Sequence, residues 1–156
     1  MYKEELDHLE TALELTLPEA YRALMLDHPG FFRQHELCDH ADPLVYDNRT
    51  LRAEGFFGTN WPKDYLVIGS DGTGNVYFIT TAPFDGKVYF ADHEGGPGPD
   101  DLETAKLHDS LEDYVESLRE QHEIVLADIR RTNERIRNRK WWEFWIPTEL
   151  TPIDDE

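Results

Sequence analysis

The sequence has one cysteine, Cys38, so no disulfide can close within the chain and nothing in it points to an oxidising compartment. It has no apolar run approaching a membrane span, and residues 1–10 are too charged for a signal peptide. These absences predict a cytoplasmic protein without a membrane partner. Positive charge is scarce. Fifteen Lys and Arg stand against 33 Asp and Glu, a formal net charge of −18, which repels nucleic acid and attracts basic partners. Solubility alone is the competing account of that acidity.

A catalytic constellation is also missing. Asp71, Thr73 and Asn75 imitate the start of a calcium loop, but Val76 stands where its glycine is needed and Ala82 where its glutamate is needed. Ser70 has Ile68, not glycine, two residues before it, which breaks the Gly-x-Ser-x-Gly pattern of hydrolases. His93-Glu94 lacks a second histidine at the zincin spacing, because Pro97 is there. His35, Cys38 and His40 have zinc-ligand chemistry, yet three such residues in a polar loop are more often unrelated to metal. Carboxylates are too numerous for any one acid/base pair to stand out. The expectation is a protein with no catalytic residue, no metal and no cofactor.

What is present is a well-patterned globular chain. Apolar residues make up 39% and aromatics 12%, ample for a core in one domain spanning 1–156. The organising stretch is Trp61 to Asp92. Leu66, Val67 and Ile68 form a short apolar run that includes β-branched residues, Ser70 to Asn75 supply a glycine turn, and Val76 to Thr80 form a second run. Asp85-Gly86 is a hairpin signal, and Lys87 to Ala91 is the next strand. The pattern predicts a three-strand antiparallel meander.

Around it, Leu6, Leu9 and Leu13 have the spacing of an amphipathic helix over Lys3 to Leu15. Pro18 opens a second helix carrying Tyr21, Leu24 and Met25, which stops near His28 ahead of Pro29. Leu44, Tyr46 and Leu51 suggest one or two short strands. Arg52 to Asn60 reads as a loop anchored to the core by Phe56 and Phe57. Glu94 to Leu107, with Gly95-Gly96-Pro97-Gly98-Pro99, reads as an exposed acidic loop. Ser110 and Asp113 then make a capping box, with Asp109 as the competing cap.

The apolar stripe Leu111, Val115, Leu118, Val125, Ile129, Ile136 marks the closing helix, with His122 and Thr132 at its missing steps. Either it is one helix to about Lys140 or it breaks near Gln121. Beyond, Arg130 to Lys140 concentrate basic charge, and Trp141, Trp142, Phe144 and Trp145 follow. Such an end can pack on its own chain, pair with a second copy as a homodimer through this helix, or meet another partner. Trp141, Trp142 and Trp145 are the candidate surface for the last two.

Trp61-Pro62, Leu66 to Asn75, Tyr77, Gly86-Lys87-Val88-Tyr89 and Asp92-His93-Glu94 together resemble the core of the SUKH superfamily. The Leu17-Pro18-Glu19-Ala20-Tyr21 opening and the Asp109 to Val115 segment resemble its early and closing helices, in the same order. The resemblance spans about residues 15–118, leaving 119–156 as a helical and aromatic extension. It implies an α+β fold, with a mainly antiparallel sheet flanked by N-terminal helices and a long C-terminal helix. It also implies a Smi/Knr-like immunity protein of a polymorphic toxin system, whose partner is a cognate toxin protein, commonly a nuclease with a basic surface. Acidic contacts are then expected at the turns and exit of the meander: Asp71, Asp85, Asp92, Glu94, Asp100 and Asp101, with Tyr77 and Tyr89 as anchors. Both tyrosines in the core is the competing placement. A regulatory scaffold that uses the basic aromatic extension is the alternative function.

Overall fold

The structure, a computed structural model, describes residues 1–27, 36–140, 143 and 149–151. The chain divides into two compact units, Met1–Val115 and Glu116–Glu156.

In the first unit, α1 (Lys3–Leu13) buries Leu6, Leu9 and Leu13, as their spacing predicts. Its opening is tied by the Glu5 carboxylate, which accepts the Tyr2 N–H at 2.7 Å. In α2 (Glu19–Leu26), Tyr21 and Met25 are buried. Glu10 joins these two helices, accepting from the Leu17 N–H at 2.9 Å and the Arg22 guanidinium at 3.0 Å.

The stretch expected to hold short strands is instead α3 (Ala41–Glu54). Leu44, Asn48 and Leu51 fall on one helical face, and Pro43 sits in the first turn, where its missing N–H costs no helix bond. Tyr46, read as part of a strand alternation, points outward and is 70% exposed. The loop expected from Arg52 therefore starts only at Gly55. There φ is +79°, and a Cβ would lie 2.6 Å from the Thr59 carbonyl, so glycine is required.

The predicted meander is present as β1 (Tyr65–Ser70), β2 (Val76–Thr80) and β3 (Val88–Ala91), antiparallel throughout. A fourth strand, β4 (Lys106–His108), adds to β3, giving the order β1-β2-β3-β4. It lies, with the short helix α4 (Leu102–Ala105), inside the stretch expected to be loop through Leu107. Asp101 starts α4 by accepting from the N–H groups of Glu103 and Thr104 at 3.2 and 3.3 Å. The fold is thus α+β.

Both sheet faces are covered. Tyr65, Val67, Phe78, Tyr89 and Ala91 pack with Phe56 and Trp61, while the alternate residues Leu66, Ile68 and Ile79 are fully buried too.

Strand β1 is at the sheet edge, and α3 seals it. Asn48, with no exposed surface, donates to the Val67 carbonyl at 3.1 Å and accepts the Val67 N–H at 2.9 Å. One turn on, Arg52 donates to the carbonyls of Lys63 and Tyr65 at 2.7 and 3.4 Å and to that of Leu13, ending α1, at 2.8 Å. A bulge at Ile68 turns its carbonyl outward as well, where the Cys38 N–H meets it at 2.8 Å. Polar side chains four apart on a helix thereby stand in for a missing neighbour strand.

Helix α5 (Leu111–Arg137) is unbroken, which decides between the two readings of the closing stripe. Ser110 caps it, its hydroxyl accepting from the Asp113 N–H at 3.0 Å. Leu111, Tyr114 and Val115 are buried, and the Tyr114 hydroxyl donates to the Glu36 carbonyl at 2.6 Å. In the second unit the stripe departs from the heptad. Val125 and Thr132 are exposed, whereas Leu126 is half-buried and Asn133 is buried. A straight helix drifts from a 3.5-residue repeat, and after six turns the inward position has moved on by one residue. Asn133 exchanges two hydrogen bonds with the backbone of Thr151, at 2.7 and 2.8 Å. Trp141, Trp142 and Trp145 lie outside the described residues, as does His35. Among the described residues no helix is long and apolar enough to cross a membrane.

Candidate functional site

With both sheet faces packed, the predicted recognition residues are found at the ends of the strands. The β1–β2 turn is built on Asp71. Its carboxylate accepts the N–H groups of Thr73 and Asn75 at 2.8 and 3.3 Å, the Thr73 hydroxyl at 2.9 Å and the Asn75 amide at 2.7 Å. Burial raises the Asp71 pKa, but these bonds outweigh it and hold the carboxyl below its usual range. Asp71 and Thr73, which imitate the start of a calcium loop, therefore spend their oxygens within the turn.

Because Val76 pairs with Ala91, this turn lies beside the exit of β3. Asn75 Oδ1 accepts the His93 N–H at 2.9 Å and the ring Nδ1–H at 2.8 Å, an arrangement that assigns the ring proton to Nδ1. The Phe57 ring rests on His93 with centroids 5.0 Å apart. From here the chain runs through Asp92, Glu94, Asp100 and Asp101. The loop is closed by the Asp92 N–H on Pro97 at 2.9 Å, the Glu94 N–H on Asp92 at 2.8 Å and the Asp101 N–H on Gly98 at 3.3 Å. Hydrogen bonds from Thr104 and Glu103 lower the pKa of Asp101. Asp71, Asp92, Glu94, Asp100 and Asp101 are thus carried by the β1–β2 turn and the loop leaving β3 beside it.

The remaining predicted residues fall elsewhere. Asp85 belongs to the β2–β3 turn, at the opposite end of these strands. It accepts from the Lys87 N–H at 3.1 Å, the Thr80 hydroxyl at 3.3 Å and the Tyr89 hydroxyl, with the Lys87 ammonium 3.6 Å away. Burial raises its pKa; the Tyr89 hydroxyl, Lys87 and Thr80 outweigh burial and set it low. Tyr89 is a core residue, 2% exposed and stacked on Phe78 at 5.3 Å, so it offers a partner no surface. Strand alternation sends its ring into the cluster around Trp61. Tyr77 is half-buried between Phe90 and Tyr114, at 5.1 and 5.6 Å.

The structure adds a cleft that the sequence reading missed. About 290 Å³ in volume, it lies between the end of α3, the Phe56-Phe57 turn and the β1–β2 turn, lined by Asp47, Thr50, Leu51, Phe57, Gly74 and Asn75 among others. Phe57 was expected to anchor its loop in the core, and Phe56 does so. Phe57 itself is 69% exposed, at φ +45°, on a turn clamped by the paired backbones of Phe56 and Thr59 at 2.7 and 2.9 Å. The signal was in the sequence, since Gly55-Phe56-Phe57-Gly58 is a pair of aromatics between two turn formers. Asp47 is half-buried, and burial raises its pKa. Among the described residues no three His, Cys, Asp or Glu are placed to hold a metal; Cys38 Sγ faces the His40 carbonyl at 3.5 Å.

A four-strand antiparallel sheet, sealed at one edge by a helix and carrying acidic turns at one end, makes this an α+β domain. The family model that matches is SMI1 / KNR4 family (SUKH-1), over residues 2–117, and the chain belongs to that family. The match takes in α1, ahead of the Leu15 at which the resemblance begins. Members are generally non-catalytic immunity proteins of toxin systems and bind cognate toxins. A search of curated proteins finds no match to this chain.

Proposed function

We propose that this chain is the immunity protein for one cognate bacterial toxin, a basic nuclease-type enzyme, which it neutralises by occlusion through an acidic surface. The observation that carries the reading is family membership over residues 2–117. The charge of −18 and the grouping of five predicted acids at and beside one end of the meander support the mode of binding. A toxin that holds nucleic acid needs a basic surface, and an acidic partner is steered to it quickly. Because Asp71 and Asp101 are held by their own turns, they present fixed charges whose ordering cost is already met in folding.

The test is survival of bacterial cells that express the toxin encoded beside this protein, with and without it, together with co-purification. Rescue with a stable complex is expected. Reversing the charge of Asp92, Glu94, Asp100 and Asp101 together is expected to slow association and weaken the complex; unchanged affinity would remove this surface from the reading.

The second unit favours one further reading. Arg130, Arg131, Arg135 and Arg137 are exposed along α5 in an otherwise acidic chain. A scaffold that engages its partner there would lose it on deletion of residues 130–156, whereas an immunity protein acting through the acidic turns would keep it.

A further inference from the structure

The cleft beside the β1–β2 turn has the chemistry of a socket for one planar cation. Its mouth holds the exposed ring of Phe57, fixed by Phe56 edge-to-face at 5.1 Å and by His93 at 5.0 Å. A fixed aromatic face attracts a cation without a large ordering cost. Asp47 lies in the same cleft, and among the described residues its carboxylate has no hydrogen bond or ion pair. A half-buried carboxylate with no counter-charge is costly, as its raised pKa reports, and an incoming cation relieves that cost. Among the described residues the lining includes no basic side chain, and Asp71 adds negative charge from the turn that forms one wall. At about 290 Å³ the space is at the foot of the roughly 300–1,000 Å³ range of small-molecule sites, but it admits a single long side chain.

We propose that this cleft receives the guanidinium of an arginine on a basic protein partner, its plane laid on Phe57 and its N–H groups donated to Asp47. Arginine fits better than lysine because its flat, weakly hydrated head can stack and donate in parallel, whereas an ammonium does neither. That the partner is a toxin rests on the function proposed above. The binding chemistry is tested without one.

The experiment follows the backbone amide spectrum of the full chain during titration with acetyl-Gly-Arg-Gly-amide, and separately with its Lys and Gln counterparts. The Arg peptide is expected to give saturable shifts at Phe57, Gly72, Gly74 and Asn75, at least about fivefold tighter than the Lys peptide. The Gln peptide should give none. Asp47→Asn and Phe57→Ala should each abolish saturation while the rest of the spectrum stays native. Shifts of equal strength for Arg and Lys, or shifts centred on residues 92–101, would mean attraction by net charge alone and would overturn the proposal, as would no saturable shift. Rescue from the toxin alongside a failed titration would remove the socket and leave the immunity reading intact. A successful titration without rescue would keep the socket and remove the toxin as its occupant.

Discussion

Asn48→Ala tests the claim that α3 seals the edge of the sheet. In the native chain the Asn48 side chain makes three hydrogen bonds, to the Leu44 carbonyl at 2.8 Å and to the Val67 carbonyl and N–H at 3.1 and 2.9 Å. The Leu44 carbonyl keeps its place in the helix ladder, so its loss counts for little. Val67 is different. It is fully buried, and its outward N–H and C=O face α3 and not another strand. Each buried backbone group left unpaired costs about 1–3 kcal/mol, so the substitution should destabilise the first unit by about 2–6 kcal/mol. That is a large share of the roughly 5–15 kcal/mol that holds a domain together. Water entering behind α3 would bring the loss to the low end. The assay is urea unfolding followed by circular dichroism, paired with hydrogen exchange at the Val67 amide, which should speed up at least as much as global stability falls. Tyr46→Ala, on the exposed side of the same helix, is the control and should change stability by about 0.5 kcal/mol or less. A loss below about 0.5 kcal/mol for Asn48→Ala, with Val67 exchange unchanged, would show that these bonds do not hold the edge.

Two other outcomes follow from the turns. Asp85 has its carboxyl pKa below the unfolded value, so the stability it contributes is present above the ordinary carboxylate pKa, about 4, and is lost as pH falls through the lower folded value. Asp85→Asn should therefore lower stability at neutral pH and flatten the acid limb of a stability-against-pH curve; an unchanged acid limb would show that Asp85 is not held by Tyr89 and Lys87. Phe57 sits at positive φ with most of its ring in solvent, so Phe57→Gly should relieve strain while losing the contacts with Phe56 and His93. The two effects oppose, and thermal unfolding should show a net change within about 1 kcal/mol. A loss of several kcal/mol would make Phe57 a structural residue.

The packing of both sheet faces limits how a partner can be bound. A module that buries Leu66, Ile68 and Ile79 on one side of the sheet and Tyr65, Val67 and Phe78 on the other has no open sheet face to offer. The edge at β1 is occupied by Asn48, Arg52 and Cys38, so strand addition there would have to displace α3. In the first unit the turns, the loops, the cleft between them and the outer edge of β4 are open to a partner. Rigidity comes from within those loops, as in the Asp71 turn and the Asn75 bonds to His93, and a partner therefore meets a surface that is already ordered.

The legible parts of this chain were those where local pattern and tertiary structure agree. Leu6, Leu9 and Leu13 announce α1, the glycine turn announces β1–β2, and Ser110 announces α5. The site is harder to read because α3 lacks a continuous apolar stripe. Its inward face presents Asn48 and Arg52, polar residues whose partners are the backbone of β1 and the end of α1, and a search for apolar spacing passes over them. As short strands, this stretch gives Asp47 and Thr50 no defined neighbours, and the sequence pattern places Phe57 in the core with Phe56. Once the helix is in place, Asn48 fixes it to Val67, and the adjacent Asp47 lines the cleft together with Phe57 and Gly74. The helix that seals the sheet edge thus also carries Asp47, the one carboxylate among the described residues that line this cleft, so the seal and the proposed socket should fail together when Asn48 is removed.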